Sequence, residues 1–566
     1  MTARNEPPAG TSNRSDGRLA TSAAVLAVTV IAGAVMVRYG SLARIEYDGW
    51  WHVFVARAWG WSAFWREVYA VAHPPLYFLI LKAASAVFGT SQLAYRTVSI
   101  ASGMVSVALV GLIAVRVFSH RVLAVVTALA FGVSTAAVVV SNQIRSYTLA
   151  VVFLLLCVYC LLDLVDPATK NLRMRALFSL SLTLGILSHF SILFMLPVFA
   201  SIPFLIVLIY PDLRASYLKH WKRYFGGHFL MLLLPAAVAV EEYVFHIRKI
   251  SGSAQFHHLR AFFYDGSEGL VSFTLRNLLN EVRLFFPTEI LGSSSNARII
   301  SAMIVMIVIV GVVAMLRARG AVRATTIPLV ATVLLGVLWA VAVLGRYPFG
   351  GTVRHQFLLY PVAVLTFFLF VDRCLEFIHD VRRKKAAIVV FVCFVFAAVA
   401  FEWKQHSTPV RSLGLAAHDL FVETYPEARN IFVDQFSLFH LFTHRQEARW
   451  VFDSEFSGKR TDRIEVTGDG GGFTVYRNRR WQAHLNDASF YASLRRTMRE
   501  AGLDRMTVFH MERVRRGEGL SPDQKREGNP RVLERRAEAN GLRLVSSVRG
   551  RRCVFAEFEL VKAPRE

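Results

Sequence analysis

Between residues 19 and 402 the chain returns repeatedly to apolar runs long enough to cross a lipid bilayer, and this limits the fold more than any other feature. A spanning helix takes roughly 17–25 predominantly apolar residues, because in hydrocarbon each backbone N–H and C=O must be satisfied within its own segment. The chain is 54% apolar with a mean hydropathy of +0.42, a balance that fits such embedding. The net charge of +24 does not point to nucleic acid once it is located. Residues 403–566 hold 29 Lys and Arg against 22 Asp and Glu, which leaves 35 against 18 upstream, mostly in short loops between apolar runs. Basic residues so placed report orientation in a membrane.

Taken in order, residues 1–18 are polar, broken by Pro and Gly, and expected to be disordered. The run at 19–37 lacks a small-residue cleavage site and reads as an uncleaved first span. If the stretch after it lies outside, the basic loops RVFSHR (116–121), DPATKNLRMR (166–175), PDLRASYLKHWKRYF (211–225), RARGAVR (317–323) and DRCLEFIHDVRRKK (372–385) all fall inside. That alternation predicts about eleven spans in a membrane domain over 19–402. It also places a first outer loop at 39–92, a long outer loop at 246–297 and the tail from 403 on the outer face. The helix expected at 75–88 is too short to cross and is assigned to the outer interface.

The tail, 403–566, changes character. The β-rich runs NIFVD, GFTVYRN, RMTVFHM and CVFAEFEL alternate with charged helical stretches such as ASFYASLRRTMREAG, which predicts a small soluble α/β domain. Its Gly-rich GDGGGF (468–473) precedes a strand, whereas a phosphate cradle needs glycines before a helix. Cys157 and Cys160 form a CxxC inside the apolar VVFLLLCVYCLLDLV and read as core residues; Cys553 alone lies in the tail.

The chemistry is expected at the outer ends of spans. Residues 46–77, EYDGWWHVFVARAWGWSAFWREVYAVAHPPLY, follow the first span directly, with Asp48 at its mouth and Trp50 and Trp51 beside it as interfacial anchors. An acid in that place is costly and marks a candidate site; a solvated helix-end carboxylate, or one paired with Arg44 or Arg57, is the bland alternative. Pro74 holds His73 extended, and Pro75 suits the first turn of the helix that follows. SNQIRSYTL (141–149) sets Arg145 and Tyr147 at another outer end, and GRYPFGGTVRHQFLLYP (345–361) sets Arg346, Tyr347, Arg354 and His355 at a third. Arginines there run against the positive-inside trend, and a guanidinium suits bidentate phosphate contacts, though lipid-headgroup snorkelling gives the same placement. His189 sits where two spans meet. His73, His189, His257, His258 and His355 with Asp48 and Glu46 are the only candidates for a divalent metal, at spacings unlike any compact ligand motif.

Acid at the first span exit, an amphipathic Trp-rich stretch and then HPPLxxxxLK resemble the first outer loop of the GT-C glycosyltransferases. The nearest resemblance is to the protein O-mannosyltransferases of glycosyltransferase family 39 and the bacterial enzymes that decorate lipid A and lipopolysaccharide. The family shows an adjacent Asp-Glu pair, whereas here Tyr47 separates Glu46 from Asp48. The resemblance covers about residues 20–400. It implies an all-α polytopic membrane protein of GT-C type, with interfacial helices in the first outer loop, plus the C-terminal α/β domain. It also implies an inverting transfer from a polyprenyl-phosphate sugar to a glycan, lipid or protein acceptor, with no nucleic acid involved. Asp48 then matches the catalytic base, with Glu46 as helper. Arg145 and Tyr147 in SNQIRSYTL resemble the family's Arg-Tyr/Phe-x-Leu element, and Arg354 and His355 in RHxxLxxP its late-span motif facing the donor phosphate; Arg346, His73 and His189 are further candidate substrate-binding residues, with His73 mainly bracing the loop. No cofactor is implied, and the active site and tail would face the periplasmic side of the inner membrane. The rivals from other classes are a transporter or flippase of lipid-linked saccharides, against which the lack of inverted repeats counts, and a surface-glycan polymerase or ligase.

Overall fold

The computed structural model describes residues 11–58, 60–69, 73–167, 171–211, 214–248, 262–285, 322–406, 429–444, 449–453, 461–467, 472–478, 485, 487–511, 529–549 and 553–561. The helices up to the midpoint are α1 (Thr11–Leu42), α2 (Tyr47–Arg57), α3 (Gly60–Val68), α4 (Pro75–Phe88), α5 (Gln92–Val117), α6 (Arg121–Gly132), α7 (Thr135–Asn142), α8 (Tyr147–Leu164), α9 (Leu172–Ser188) and α10 (Met195–Ile209). After them come α11 (Arg214–Lys219), α12 (Gly227–Glu242), α13 (Leu270–Phe285), α14 (Val322–Val343), α15 (Val353–Gln356), α16 (Tyr360–Glu376) and α17 (Val381–His406). Helices α18 (Gln435–His444), α19 (Ala488–Glu500) and α20 (Pro530–Glu538) lie among the strands of the C-terminal region. The chain divides into two compact units. One takes in Met1–Ala43, Val68–Leu81 and Arg96–Thr408, the other Arg44–Glu67, Lys82–Tyr95 and Pro409–Glu566.

The first unit is a bundle of apolar helices. Seven helical stretches among the described residues are long and apolar enough to cross a membrane: Leu19–Leu42, Gln92–Val117, Tyr147–Leu164, Phe190–Ile209, Lys222–Ile247, Val322–Val343 and Val381–Phe401. Helices α9 and α16, 17 residues each, stand where two further spans were expected. The span expected at 298–316 lies outside the described residues. The apolar run at 122–140, expected as one straight span, is instead the pair α6 and α7, bent by 50°. Ser134 makes the break: its hydroxyl donates to the Phe131 carbonyl at 2.8 Å and accepts from the Ala137 N–H at 3.2 Å, capping α7 and stopping α6. At one end of the bundle Asp372 gathers the turn between α5 and α6, accepting from the Ser119 N–H at 2.8 Å and the His120 N–H at 2.9 Å. Elsewhere, the buried guanidinium of Arg96 donates to three backbone carbonyls, those of Asn142 (3.0 Å), Gly40 (3.1 Å) and Ala43 (2.8 Å). It ties the ends of α1 and α7 to the start of α5, just before the chain enters the stretch with Asp48.

The second unit is built on a seven-stranded sheet of order β2-β3-β4-β1-β5-β7-β6. Its strands are β1 (Asn430–Asp434), β2 (Arg449–Asp453), β3 (Thr461–Thr467), β4 (Phe473–Asn478), β5 (Arg505–Met511), β6 (Leu542–Arg549) and β7 (Cys553–Leu560). Strand β1 runs parallel to both β4 and β5, and every other pairing is antiparallel. Apolar residues at helical spacing in α19 (Phe490, Tyr491, Leu494, Met498) pack with Phe432, Tyr476, Val508 and Phe558 of the sheet into a core of its own. Asp487 caps the start of α19, accepting from the Ser489 N–H at 2.8 Å. Gly502 ends it in the left-handed region at φ 65, which only glycine adopts without strain.

Candidate active site

The acids of the first loop sit at the start of α2, in the second unit. Glu46 is the exposed residue before the helix, with extended backbone and no side-chain cap bond. Asp48 is half-buried in the first turn, where the positive end of the helix dipole favours a carboxylate. The helix is buried all round from Gly49 through Ala56, mostly through apolar and aromatic side chains. One turn on from Asp48, the buried His52 donates from Nδ1 to the Asp48 backbone oxygen at 2.8 Å. Asp48, expected as the base, and Glu46, expected as its helper, thus stand in different surroundings, and of the two only Asp48 is partly desolvated.

The first unit holds a separate cluster of cations, phenols and imidazoles. Arg145, at 9% exposure, lies in the turn between α7 and α8 and donates from Nη1 to the Tyr147 hydroxyl at 2.9 Å. The Tyr147 ring lies 4.8 Å from the His189 ring, which in turn is 5.4 Å from the His73 ring. His189, 7% exposed, occupies the turn between α9 and the 3-10 turn leading into α10; its Nδ1 accepts from the Ser191 N–H at 3.1 Å, with the Ser191 hydroxyl at 2.8 Å. Burial, and then the nearby Arg145 charge, push the His189 pKa down to about 3, so the ring is neutral with its proton on Nε2. The HPPLY element braces this turn. Tyr77 hydrogen-bonds the Ser99 hydroxyl at 2.8 Å, and Ser99 in turn donates to the Arg145 carbonyl at 3.3 Å.

Tyr347 joins the second half of the cluster to the first. Its hydroxyl donates to the His355 carbonyl at 2.8 Å, and its ring lies 4.9 Å from Phe194. Burial raises its pKa, and it feels Tyr147, Glu281 and Arg354 electrostatically. Arg354 and His355 lie on α15, where the His355 ring is held by Thr352 at 2.8 Å. Gly350, at φ 68, presses against Asn277 so closely that a Cβ would meet it at 2.8 Å, and its N–H reaches Glu281 Oε1 at 2.7 Å. Glu281 is 4% exposed, its Oε2 has no hydrogen-bond partner among the described residues, and burial pushes its pKa up to about 8.

The structure therefore brings Arg145, Tyr147, His189, His73, Tyr347, Arg354 and His355 into one neighbourhood. Arg346 is exposed on the turn after α14, and among the described residues no side-chain bond ties it to this cluster. Glu281, in the long loop at 246–297, was not among the residues expected at the site, and neither were Arg96 and His52. The amphipathic period of α13 was the available signal for Glu281, since Phe273, Asn277 and Glu281 recur at four-residue spacing and are the buried ones. Among the described residues no three His, Cys, Asp or Glu side chains are grouped to hold a metal ion; His257 and His258 lie outside those residues.

Residues 72–240 match the family model for dolichyl-phosphate-mannose-protein mannosyltransferases, a segment that includes His73, Arg145, Tyr147 and His189 but begins after Asp48. The fold is shared with ArnT from Cupriavidus metallidurans in the apo state, at a TM-score of 0.54 and 12% identity, over 94% of this chain and 97% of that one. The family model thus covers a little under a third of the chain, and the superposition on apo ArnT shows a shared fold. The same ArnT bound to undecaprenyl phosphate superposes at a TM-score of 0.47 with 12% identity, over 94% and 97% of the two chains. The oligosaccharyltransferase AglB from Archaeoglobus fulgidus, solved with an inhibitory peptide and a dolichol-phosphate, superposes at 0.46 with 11% identity over 86% and 69%. The apo ArnT superposition alone carries the fold assignment for this chain. No curated protein sequence matches the chain significantly.

Proposed function

We propose that this protein is a GT-C membrane glycosyltransferase that moves a sugar from a polyprenyl-phosphate donor to a hydroxyl group of a glycan, lipid or protein acceptor on the outer face of the inner membrane, inverting the anomeric centre. The observation that carries the reading is the buried Arg145–Tyr147–His189 cluster with Tyr347 and Arg354 beside it. Two permanent cations and several oriented donors in a desolvated place suit a departing phosphate monoester, whose negative charge grows as the bond to the sugar breaks. The family matched over 72–240 is itself described by a polyprenyl-phosphate sugar donor.

In the proposed step Asp48 takes the proton of the acceptor hydroxyl as its oxygen attacks the anomeric carbon. The bond from that carbon to the phosphate oxygen breaks on the opposite face, and the lipid phosphate leaves with both electrons. Arg145 and Arg354 hold it, Tyr147 and the neutral His189 donate to its oxygens, and Glu46 supports the loop. No metal or cofactor is required for this proton and electron balance. Lipid and glycan profiling of cells without the protein tests the reading. Loss of one sugar residue from a surface glycan, lipid or protein, together with build-up of its polyprenyl-phosphate donor, is expected. An unchanged sugar inventory with donor lipid trapped on the inner leaflet would instead indicate a flippase.

A further inference from the structure

The C-terminal sheet carries a buried charged fork for which the transfer step itself has no use. Arg477, near the carboxyl end of β4, is 1% exposed and pairs directly across the sheet with Asp462 of β3. Its Nε donates to Asp462 Oδ2 at 2.9 Å. Its two terminal nitrogens reach the carboxylate of Glu67, Nη2 to Oε1 at 2.9 Å and Nη1 to Oε2 at 3.3 Å. Glu67 belongs to α3 and is 6% exposed, 410 residues away along the chain. The guanidinium also lies 4.5 Å over the ring of Phe54 on α2. Beside this, Phe439 of α18 is surrounded by Tyr47 (5.5 Å), Trp51 (5.9 Å) and Phe54 (5.6 Å), all from α2.

The position of this contact in the sheet is informative. In open α/β sheets, ligands bind in the crevice outside the carboxyl ends of parallel strands, where neighbouring connections diverge. Here the parallel strands are β4, β1 and β5, and the residues at their carboxyl ends include Arg477, Asp434 and His510. On the Arg477 side of that crevice lies the chain's own α2–α3, with the Glu67 carboxylate sitting in the guanidinium fork as a bound acid would.

We propose that the C-terminal α/β domain is the holder of the catalytic loop, and that Arg477 is a positioning residue: backed by Asp462, it grips Glu67 and fixes α2, the helix that bears Asp48. The proposal rests on the reading of Asp48 as the base. A bidentate arginine with two carboxylates and an aromatic face sets distance and orientation together, which a single ion pair does not. Breaking such a buried fork by neutralising one partner loosens the element it holds, because the remaining charge is then better served by water.

The test uses the full-length protein in nanodiscs, with Glu67→Gln as the main variant. It leaves Arg477 paired with Asp462, so the sheet keeps its cross-strand pair. Hydrogen exchange of peptides covering 47–57 and 60–68 is expected to rise at least about tenfold, with β3 and β4 unchanged. Turnover of a polyprenyl-phosphate sugar is expected to fall about tenfold or more, with KM for the donor within about twofold, as misplacement of a catalytic group costs rate rather than donor binding. Glu67→Asp should recover part of the turnover, and Arg477→Lys, which keeps charge but loses the fork, should resemble Glu67→Gln. Unchanged exchange in 47–68 overturns the grip, and raised exchange with parental turnover overturns the positioning role. If Asp48→Asn proves fully active while Glu67→Gln is loosened and slow, the base assignment is what fails and the loop-holding role stands.

Discussion

Replacing Glu281 with Gln should remove a pH-dependent loss of stability. The carboxyl is 4% exposed, accepts one hydrogen bond from the Gly350 N–H, and has a pKa raised from 4.5 to about 8 by burial. Below pH 4.5 folded and unfolded chains both carry the proton and the group costs nothing. From there to about 8 the unfolded chain releases it and the folded chain does not, so stability falls steadily as pH rises; beyond 8 the loss is complete. At about 1.4 kcal/mol per pH unit, the full displacement is worth up to about 5 kcal/mol. Glu281→Gln keeps an acceptor for Gly350 and carries no proton to lose. The assay is unfolding of purified parent and variant in detergent, followed by tryptophan fluorescence at pH values from about 4.5 to 9. The variant should match the parent at the acid end and exceed it increasingly toward the alkaline end. Parallel curves across that range would refute the argument and mean that Glu281 is hydrated or ion-paired.

Other perturbations have equally definite expectations. Arg145→Lys and Arg354→Lys keep a charge but lose the forked contact, so each should lower turnover while the protein stays folded; two fully active lysine variants would assign these side chains to lipid headgroups. Arg96→Met deprives the carbonyls of Gly40, Ala43 and Asn142 of a charged donor, at about 1.5 kcal/mol or more each, for a loss on the order of 4 kcal/mol seen as a lower melting temperature. An unshifted melting temperature would contradict it. A reporter active only outside the cytoplasm, fused after Glu566, should be active, and cytoplasmic activity there would reverse the proposed orientation.

Much of the fold is legible in the residues because lipid imposes simple rules. Apolar runs of spanning length recur, and the strands NIFVD, FTVYRN, RMTVFHM and CVFAEFEL are where β-rich residues cluster. The strands RWVFD, TDRIEVT and LRLVSSVR are less evident, since charged residues punctuate them and pairing rather than propensity decides them. The bend after Gly132 is hidden inside continuous apolar sequence, because one serine hydroxyl makes it. Arg145 and Arg354 stand out because a basic residue at a span end expected outside breaks a trend. Arg96 does not: it reads as one polar residue at the start of a span, and only the folded chain shows three carbonyls converging on it. Glu281 and the Glu67–Arg477 grip are illegible for the same reason. A carboxylate in a polar loop looks solvated until burial is known, and no local pattern links residues 410 positions apart.

The central claim is that Asp48 takes a proton during sugar transfer from a polyprenyl-phosphate donor, and it is tested most directly by acceptor-dependent release of polyprenyl phosphate from purified parent, Asp48→Asn and Glu46→Gln proteins. Asn keeps the size of the side chain but accepts no proton, and a general base contributes about 10²–10⁴-fold. The account predicts a fall of that order for Asp48→Asn with donor binding retained, and a milder effect for Glu46→Gln. Parental turnover from Asp48→Asn with an inactive Glu46→Gln would move the base to Glu46, and full activity in both would contradict the mechanism.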